Sequence, residues 1–248
     1  MMTQSHNDPT GWDESVSKLF IDNGKYFVPD RDFQIRTICD LIPSTNTRMA
    51  IIDLCCGEGL LSGALLKRFP NCRVYGYDGS REMLNLAAQN LSNYKNRFVA
   101  QGFNLAEKDW RNPGISLNAI VSSLCIHHLS ANQKQELYVD IFRILAPGGV
   151  FIIADLVQPA SNPGVKYAAD SWDACVWERA NEIDDDSTAF SRFEDLRWNF
   201  YRYGDEDNLD KPSGLLEQLI WLKDAGYTGV DVFWMKAGHV IFGGYKKE

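Results

Sequence analysis

Between residues 50 and 155 short apolar runs alternate with stretches whose apolar positions recur at helical spacing. The runs 50–54, 73–77, 97–101, 119–123 and 150–155 have the length of buried strands. Helical patterns occupy 60–69, stopped by Pro70, and a stretch from Ser80, the expected N-cap, to Leu91. Ser130 and Gln133 have the spacing of a capping box for a helix to Leu145, and Pro147-Gly148-Gly149 predicts a tight turn. Upstream, residues 1–29 are polar with scattered aromatics (Trp12, Phe20, Tyr26, Phe27), and a helical pattern then ends at Pro43. Downstream, 158–213 predicts two helical pieces, followed by a helix over 215–225 and a hairpin of 230–234 with 239–243.

Repeated strand–helix–strand units imply right-handed crossovers and a mostly parallel sheet. The expected fold class is α/β: a doubly wound seven-stranded sheet with an antiparallel C-terminal strand pair and a helical lid insert. The expected division is 1–48 as a helical segment closing the ligand site, 49–157 as the α/β core, 158–213 as the lid, and 214–248 completing the sheet.

Composition narrows the partners. The 248 residues carry a net charge of −8, which argues against a broad phosphate-backbone footprint. No apolar run has the length of a membrane span, and the N-terminus lacks the pattern of a signal peptide. None of the six cysteines forms a C-x-x-C pair, and most lie in apolar runs as small hydrophobes. A reducing, cytoplasmic setting is therefore expected.

The chemistry concentrates after the first strand. Its apolar run ends in Asp53, crosses Cys55-Cys56-Gly57-Glu58-Gly59, and enters a helix; a second acid, Asp78, closes the next strand. Glycines at 57 and 59 let a ligand approach the backbone, and the helix start turns N–H groups toward it. A carboxylate at the second strand end can accept both ribose hydroxyls of a nucleoside cofactor. Gly57-x-Gly59-x-x-Ser62 also approximates a nicotinamide fingerprint. Against that reading, Asp53 and the paired cysteines stand where an apolar strand should run into the first glycine.

These residues resemble the class I S-adenosylmethionine-dependent methyltransferases. Asp53-Leu54-Cys55-Cys56-Gly57-Glu58-Gly59 is similar to their D-L-G-C-G-x-G turn, and the stretch from Gly76 to Leu84 to their G-x-D-x-S-x-x-M-L. Further likenesses are the stretch from Ser122 to Leu129 after strand four, Leu145-Ala146-Pro147-Gly148-Gly149, and Leu222-Lys223-Asp224-Ala225-Gly226-Tyr227. The resemblance implies S-adenosyl-L-methionine as cofactor, S-adenosyl-L-homocysteine as product, and a cofactor site of Asp53, Cys55, Gly57, Gly59, Asp78, Gly79, Met83, Phe103, Asn104, Ser123 and Leu124. Tyr26 is expected to join this site, and Tyr26 with Trp12 to close the aromatic pocket over the methyl group from the N-terminal side. Three departures stand out. Cys55 replaces a glycine, Phe103 an acid that contacts adenine, and Asn118 an acid opening strand four.

In-line methyl transfer chiefly needs the nucleophile and methyl held about 3–3.5 Å apart. His127, after strand four, is the candidate general base; the alternative is that His127 and His128 cap their loop. Asp155 is a strand-end acid able to bond a substrate. No metal is expected, because adjacent side chains such as His127 and His128 diverge. The insert's aromatics (among them Tyr167, Trp172, Trp177, Trp198 and Phe200) suggest a roof over a small-molecule substrate. Alternatives are an RNA or protein methyltransferase, a noncatalytic cofactor-binding protein, or an enzyme that modifies S-adenosylmethionine itself. Exposed aromatics make a homodimer a further expectation.

Overall fold

The computed structural model describes residues 14–45, 48–204 and 209–248, so the expectation for Trp12 lies outside the described residues. Two helices open the chain, α1 (Glu14–Phe27) and α2 (Arg31–Leu41). The alternating part follows as β1 (Met49–Leu54), α3 (Leu60–Arg68), β2 (Cys72–Asp78), α4 (Arg81–Asn90), β3 (Phe98–Gly102), β4 (Leu117–Ser123), α5 (Ala131–Ile144) and β5 (Leu145–Leu156). The insert holds α6 (Asn162–Asp184), α7 (Thr188–Asp195) and the single turn α8 (Phe200–Tyr203), and α9 (Leu215–Asp224), β6 (Thr228–Lys236) and β7 (His239–Tyr245) complete the fold.

The seven strands lie in the order β3-β2-β1-β4-β5-β7-β6, with the β5–β7 and β7–β6 pairs antiparallel and the rest parallel. In β1, Ile51, Ile52 and Leu54 are fully buried, each burial contributing roughly 1.5–3 kcal/mol. Their continuous apolar run reflects helices on both faces. Alternation sends Ile51, Val74 and Val121 to the layer under α2 and α3, and Ile52, Ile120 and Phe151 to the layer under α5 and α9. Because β2 and β4 flank β1 on opposite sides, the chain reverses direction across the sheet there, and the ligand-binding crevice lies beyond the carboxyl ends of β1 and β4.

Three local expectations change. The 1–29 segment contains a regular helix, α1, whose Tyr26 and Phe27 are buried against Trp172, Val176 and Phe193 of the insert. Among the described residues the insert contains three helical pieces rather than two. The Pro147-Gly148-Gly149 stretch lies within β5, because the Gly148 N–H bonds the Lys246 carbonyl (2.9 Å) and extends the sheet. The predicted caps hold: Ser80 Oγ accepts the Met83 N–H, and Ser130 and Gln133 form the reciprocal box. At the β6–β7 turn, Ala237 and Gly238 both have positive φ, as a two-residue hairpin requires.

Candidate active site

Above the β1 and β2 ends the chain builds a cavity from eight of the expected residues: Cys55, Gly57, Asp78, Gly79, Met83, Phe103, Ser123 and Leu124. Asp78 organises it. Its Oδ2 accepts the Gly57 N–H (2.8 Å) and its Oδ1 the Ser80 N–H (2.9 Å), tying the glycine turn to the end of β2. Burial pushes the Asp78 carboxyl up to about 6. Gly57 has φ +54, and a Cβ there would meet only Met83 Sδ at 3.8 Å. The protein leaves open space above this glycine, as a close-lying ligand requires. Phe103 presents its ring to the same cavity and is held edge-on by Trp110, with centroids 5.4 Å apart.

Four expected cofactor residues lie outside the lining of this cavity. Asp53 lies in an adjoining cleft with Arg31 and Gln34, accepts a hydrogen bond from Ser62 Oγ (2.7 Å), and is pushed by burial up to about 7. Gly59 faces Leu91 and Ala87, with φ +88 where α3 begins. Asn104 Oδ1 accepts the Ala106 N–H (2.9 Å) and shapes a turn. The Tyr26 hydroxyl bonds Asp184 and pins α1 to the end of α6, so Tyr26 does not line the cavity. Phe20, earlier on the same helix, does.

The cysteine expectation is corrected. Cys55 and Cys125 form a disulfide with Cα atoms 6.1 Å apart, joining the turns after β1 and β4 across the crevice; the other four cysteines are free and buried. Cys55 accepts the left-handed backbone of its glycine-like place, at φ +55. The residues around Asp78 and Gly57 thus fit the nucleoside half of a cofactor, while the disulfide occupies part of the far side of the same cavity.

A second cavity of about 210 Å³ adjoins the first and shares Phe20, Leu124 and His128 with it. Its walls include Phe27 from α1, Trp172, Trp198 and Phe200 from the insert, and His239 at the start of β7. Tyr167 and Trp177 are exposed, while Phe193 and Tyr201 are buried packing. Trp172 Nε1 donates to the Phe27 carbonyl (2.7 Å), and the Tyr201 hydroxyl lies 2.8 Å from the Val157 carbonyl and 2.9 Å from that of Gly238; these bonds seat the insert on the sheet edge.

His127 and His128 sit at the floor of this cavity on a 3₁₀ turn, Ile126–His128. That tight turn brings their rings together, with centroids 4.1 Å apart, so the expectation that adjacent side chains diverge fails here. His127 Nδ1 pairs with Asp155, whose Oδ2 also accepts the His127 N–H (2.8 Å). His127 Nε2 lies 3.3 Å from Asp210 Oδ1, and His128 Nδ1 lies 3.2 Å from the same oxygen. Burial works against charge on His127, yet the Asp155 and Asp210 carboxylates outweigh it and push the imidazole up to about 10. In this arrangement His127 holds its proton at neutral pH and is not a free base. Asp155, expected as a strand-end acid able to bond a substrate, is buried and pairs with His127. Phe20, Asp210 and His239 are among the site residues that sequence reasoning missed.

A seven-stranded sheet of this order, with a glycine turn after β1 and an acid closing β2, defines the class I S-adenosylmethionine-dependent methyltransferase fold. Residues 51–149 match the family model described as a methyltransferase domain. It is 27% identical to carboxy-S-adenosyl-L-methionine synthase of Pseudoalteromonas atlantica, over 64% of this chain and 66% of that one. It is 26% identical to the tRNA N(3)-methylcytidine methyltransferase trm140 of Schizosaccharomyces pombe, over 58% of this chain and 48% of that one. The chain therefore spans about half to two thirds of these relatives' length. Among solved structures, phosphoethanolamine N-methyltransferase 2 of Haemonchus contortus in complex with S-adenosyl-L-methionine superposes with TM-score 0.62 at 15% identity, covering 98% of this chain and 59% of that one. Among the described residues, no helix is long and apolar enough to cross a membrane.

Proposed function

We propose that the protein transfers the methyl group of S-adenosylmethionine to an O, N or C atom of a small molecule held in the aromatic cavity under the insert. The observation that carries this reading is the sharing of Phe20, Leu124 and His128 between the two cavities. A cofactor over Gly57 and Asp78 then has its neighbour in the second cavity. A cavity of roughly 150 Å³ admits benzene, so about 210 Å³ suits an acceptor of one or two rings. The net charge of −8 supports a small molecule over a nucleic acid.

Asp78 would hold the ribose, Gly57 would allow close approach of the backbone, and Phe103 would stack on the adenine. The bound cofactor supplies an electrophilic methyl on a sulfonium with a good leaving group. The chain's contribution is chiefly orientation and exclusion of water. Trp172, Trp198 and Phe200 form the apolar walls that fix the acceptor, and His127, its ring angle set by Asp155, closes the floor beneath it. The exposed Tyr167 and Trp177 on α6 are the aromatics available for pairing two copies.

The test is transfer of label from methyl-labelled S-adenosylmethionine to a panel of small phenols, amines and thiols, with bulk tRNA and protein as competing acceptors. Label in a small molecule with equal formation of S-adenosylhomocysteine is the expected result. Label confined to tRNA or protein would sink the small-molecule reading. Consumption of S-adenosylmethionine without an acceptor would replace it with modification of the cofactor itself.

A further inference from the structure

The 3₁₀ turn Ile126–His128 and the segment entering α9 bring three ligand-type side chains to one point. One donor atom each of His127, His128 and Asp210 lies within 4.8 Å of the others, and two of the three separations are 3.3 and 3.2 Å. Ligands about 2.0–2.1 Å from a tetrahedral ion are spaced about 3.3 Å apart. Two edges of such a polyhedron are therefore present.

The surroundings fit the same role. Asp155 engages His127 Nδ1 and is itself fixed by the His127 and Leu156 N–H groups (2.8 and 2.9 Å). This leaves Nε2 as the ligating atom, in the carboxylate–histidine arrangement that orients metal-bound imidazoles. The Asp210 segment is anchored on its C-terminal side. The Lys211 N–H bonds the His127 carbonyl (2.7 Å), and buried Lys134 bonds the Lys211 carbonyl and Ser213 Oγ. Two carboxylates, Asp155 and Asp210, converge on neighbouring imidazoles, and a divalent cation balances their charge. Nitrogen and oxygen donors of this kind select zinc or a similar transition metal over calcium or magnesium.

We propose that His127, His128 and Asp210 bind one zinc-like divalent ion at the floor of the aromatic cavity, with Asp155 as the positioning residue. A remaining coordination position would open to the cavity that Leu124, Trp172 and Trp198 line. It takes a hydroxyl, amine or thiol lone pair of whatever occupies the cavity. With the ion bound, His127 serves as a ligand rather than acting on a proton. The site stands independently of the methyl-transfer reading.

The experiment uses the full chain stripped with a chelator and titrated with Co²⁺, read by visible d–d absorption, with Zn²⁺ content measured after dialysis. One equivalent of metal is expected. Asp210→Asn and His128→Gln should each lose stoichiometric binding, and Asp155→Asn should bind about 10–100-fold more weakly. Circular dichroism and melting confirm folding. If buried Asp155→Asn does not fold, Asp210→Asn decides, since that side chain is 27% exposed. Absence of retained metal, unchanged binding in Asp210→Asn, or a thiolate-to-cobalt charge-transfer band would each overturn the proposal.

Discussion

Replacing Asp78 with asparagine tests the cofactor site where the structure is most explicit. The carboxylate accepts the Gly57 and Ser80 N–H groups, one on each oxygen, and each oxygen keeps a further lone pair. Two ribose hydroxyls donating to an ionised carboxylate contribute about 1.5–3 kcal/mol each when well made. Allowing for the part an amide oxygen keeps, the expected loss is about 3 kcal/mol, or roughly 150-fold in Kd. An asparagine has one acceptor oxygen, so either the Gly57 or the Ser80 N–H also loses its partner. That costs the unliganded fold about 1–3 kcal/mol.

The pH dependence has a defined sign. Burial raises the Asp78 carboxyl to about 6, and the ionised form is the one that accepts hydroxyls, so cofactor affinity should fall as pH drops through 6. Without cofactor the sign is reversed. A carboxyl whose folded pKa lies above its unfolded value favours folding when protonated, and that contribution is lost as pH rises from about 4 through 6. A shift of about two units corresponds to about 3 kcal/mol. Calorimetric titration of S-adenosylhomocysteine between pH 5 and 8 reads the binding side, and thermal melts of the unliganded protein read the other. In Asp78→Asn the limb near pH 6 should vanish, leaving the one due to Asp53, whose carboxyl sits at about 7. A Kd within threefold of the parent, or an unchanged pH profile in the variant, would refute the ribose role.

Gly76→Ala should lower stability by about 1–3 kcal/mol in urea unfolding, because its Cβ would lie 2.7 Å from the Phe98 ring and 2.9 Å from Cys56 Sγ. Tyr201→Phe should cost about 1–2 kcal/mol by the same measurement, since it removes the hydroxyl shared by the Val157 and Gly238 carbonyls. A loss below a few tenths would show that the insert is not seated by that contact. Alkylation of the denatured protein should label four thiols without reductant and six with it, Cys55 and Cys125 being the difference. Six labels in both conditions would remove the cross-link.

The sheet was legible because strands covered on both faces must be apolar throughout, and Ile51, Ile52 and Leu54 announce that directly. The glycine turn and Asp78 were expected together because a close-lying nucleoside would demand small residues and an acid at set places, and the Gly57 N–H bond to Asp78 joins them. What escaped depended on tertiary partners. The apolar face of α1 makes sense only against the insert, and the choice between Phe20 and Tyr26 depends on helix phase. Two histidines adjacent in sequence look divergent until a 3₁₀ turn tightens their spacing. Asp210 lies in an irregular segment with no periodic pattern, 55 positions beyond Asp155 (210 − 155), and nothing local marks it.

That last omission bears on how the insert works. It walls the second cavity through Trp172, Trp198 and Phe200, and the chain beyond its helices delivers Asp210 to His127 and His128. The anchor for this return is Lys134 of α5, a core residue 1% exposed, whose ammonium is spent on the Lys211 carbonyl and Ser213 Oγ. Burying a lysine for two such bonds is unfavourable, as its fall to about 8 through burial indicates. Lys134→Met would remove that unfavourable burial along with the anchor. If the anchor's role is to place Asp210, this variant should keep or gain thermal stability while losing metal affinity. A variant that instead melts early with metal affinity intact would make Lys134 a fold-stabilising group unconnected to the cluster.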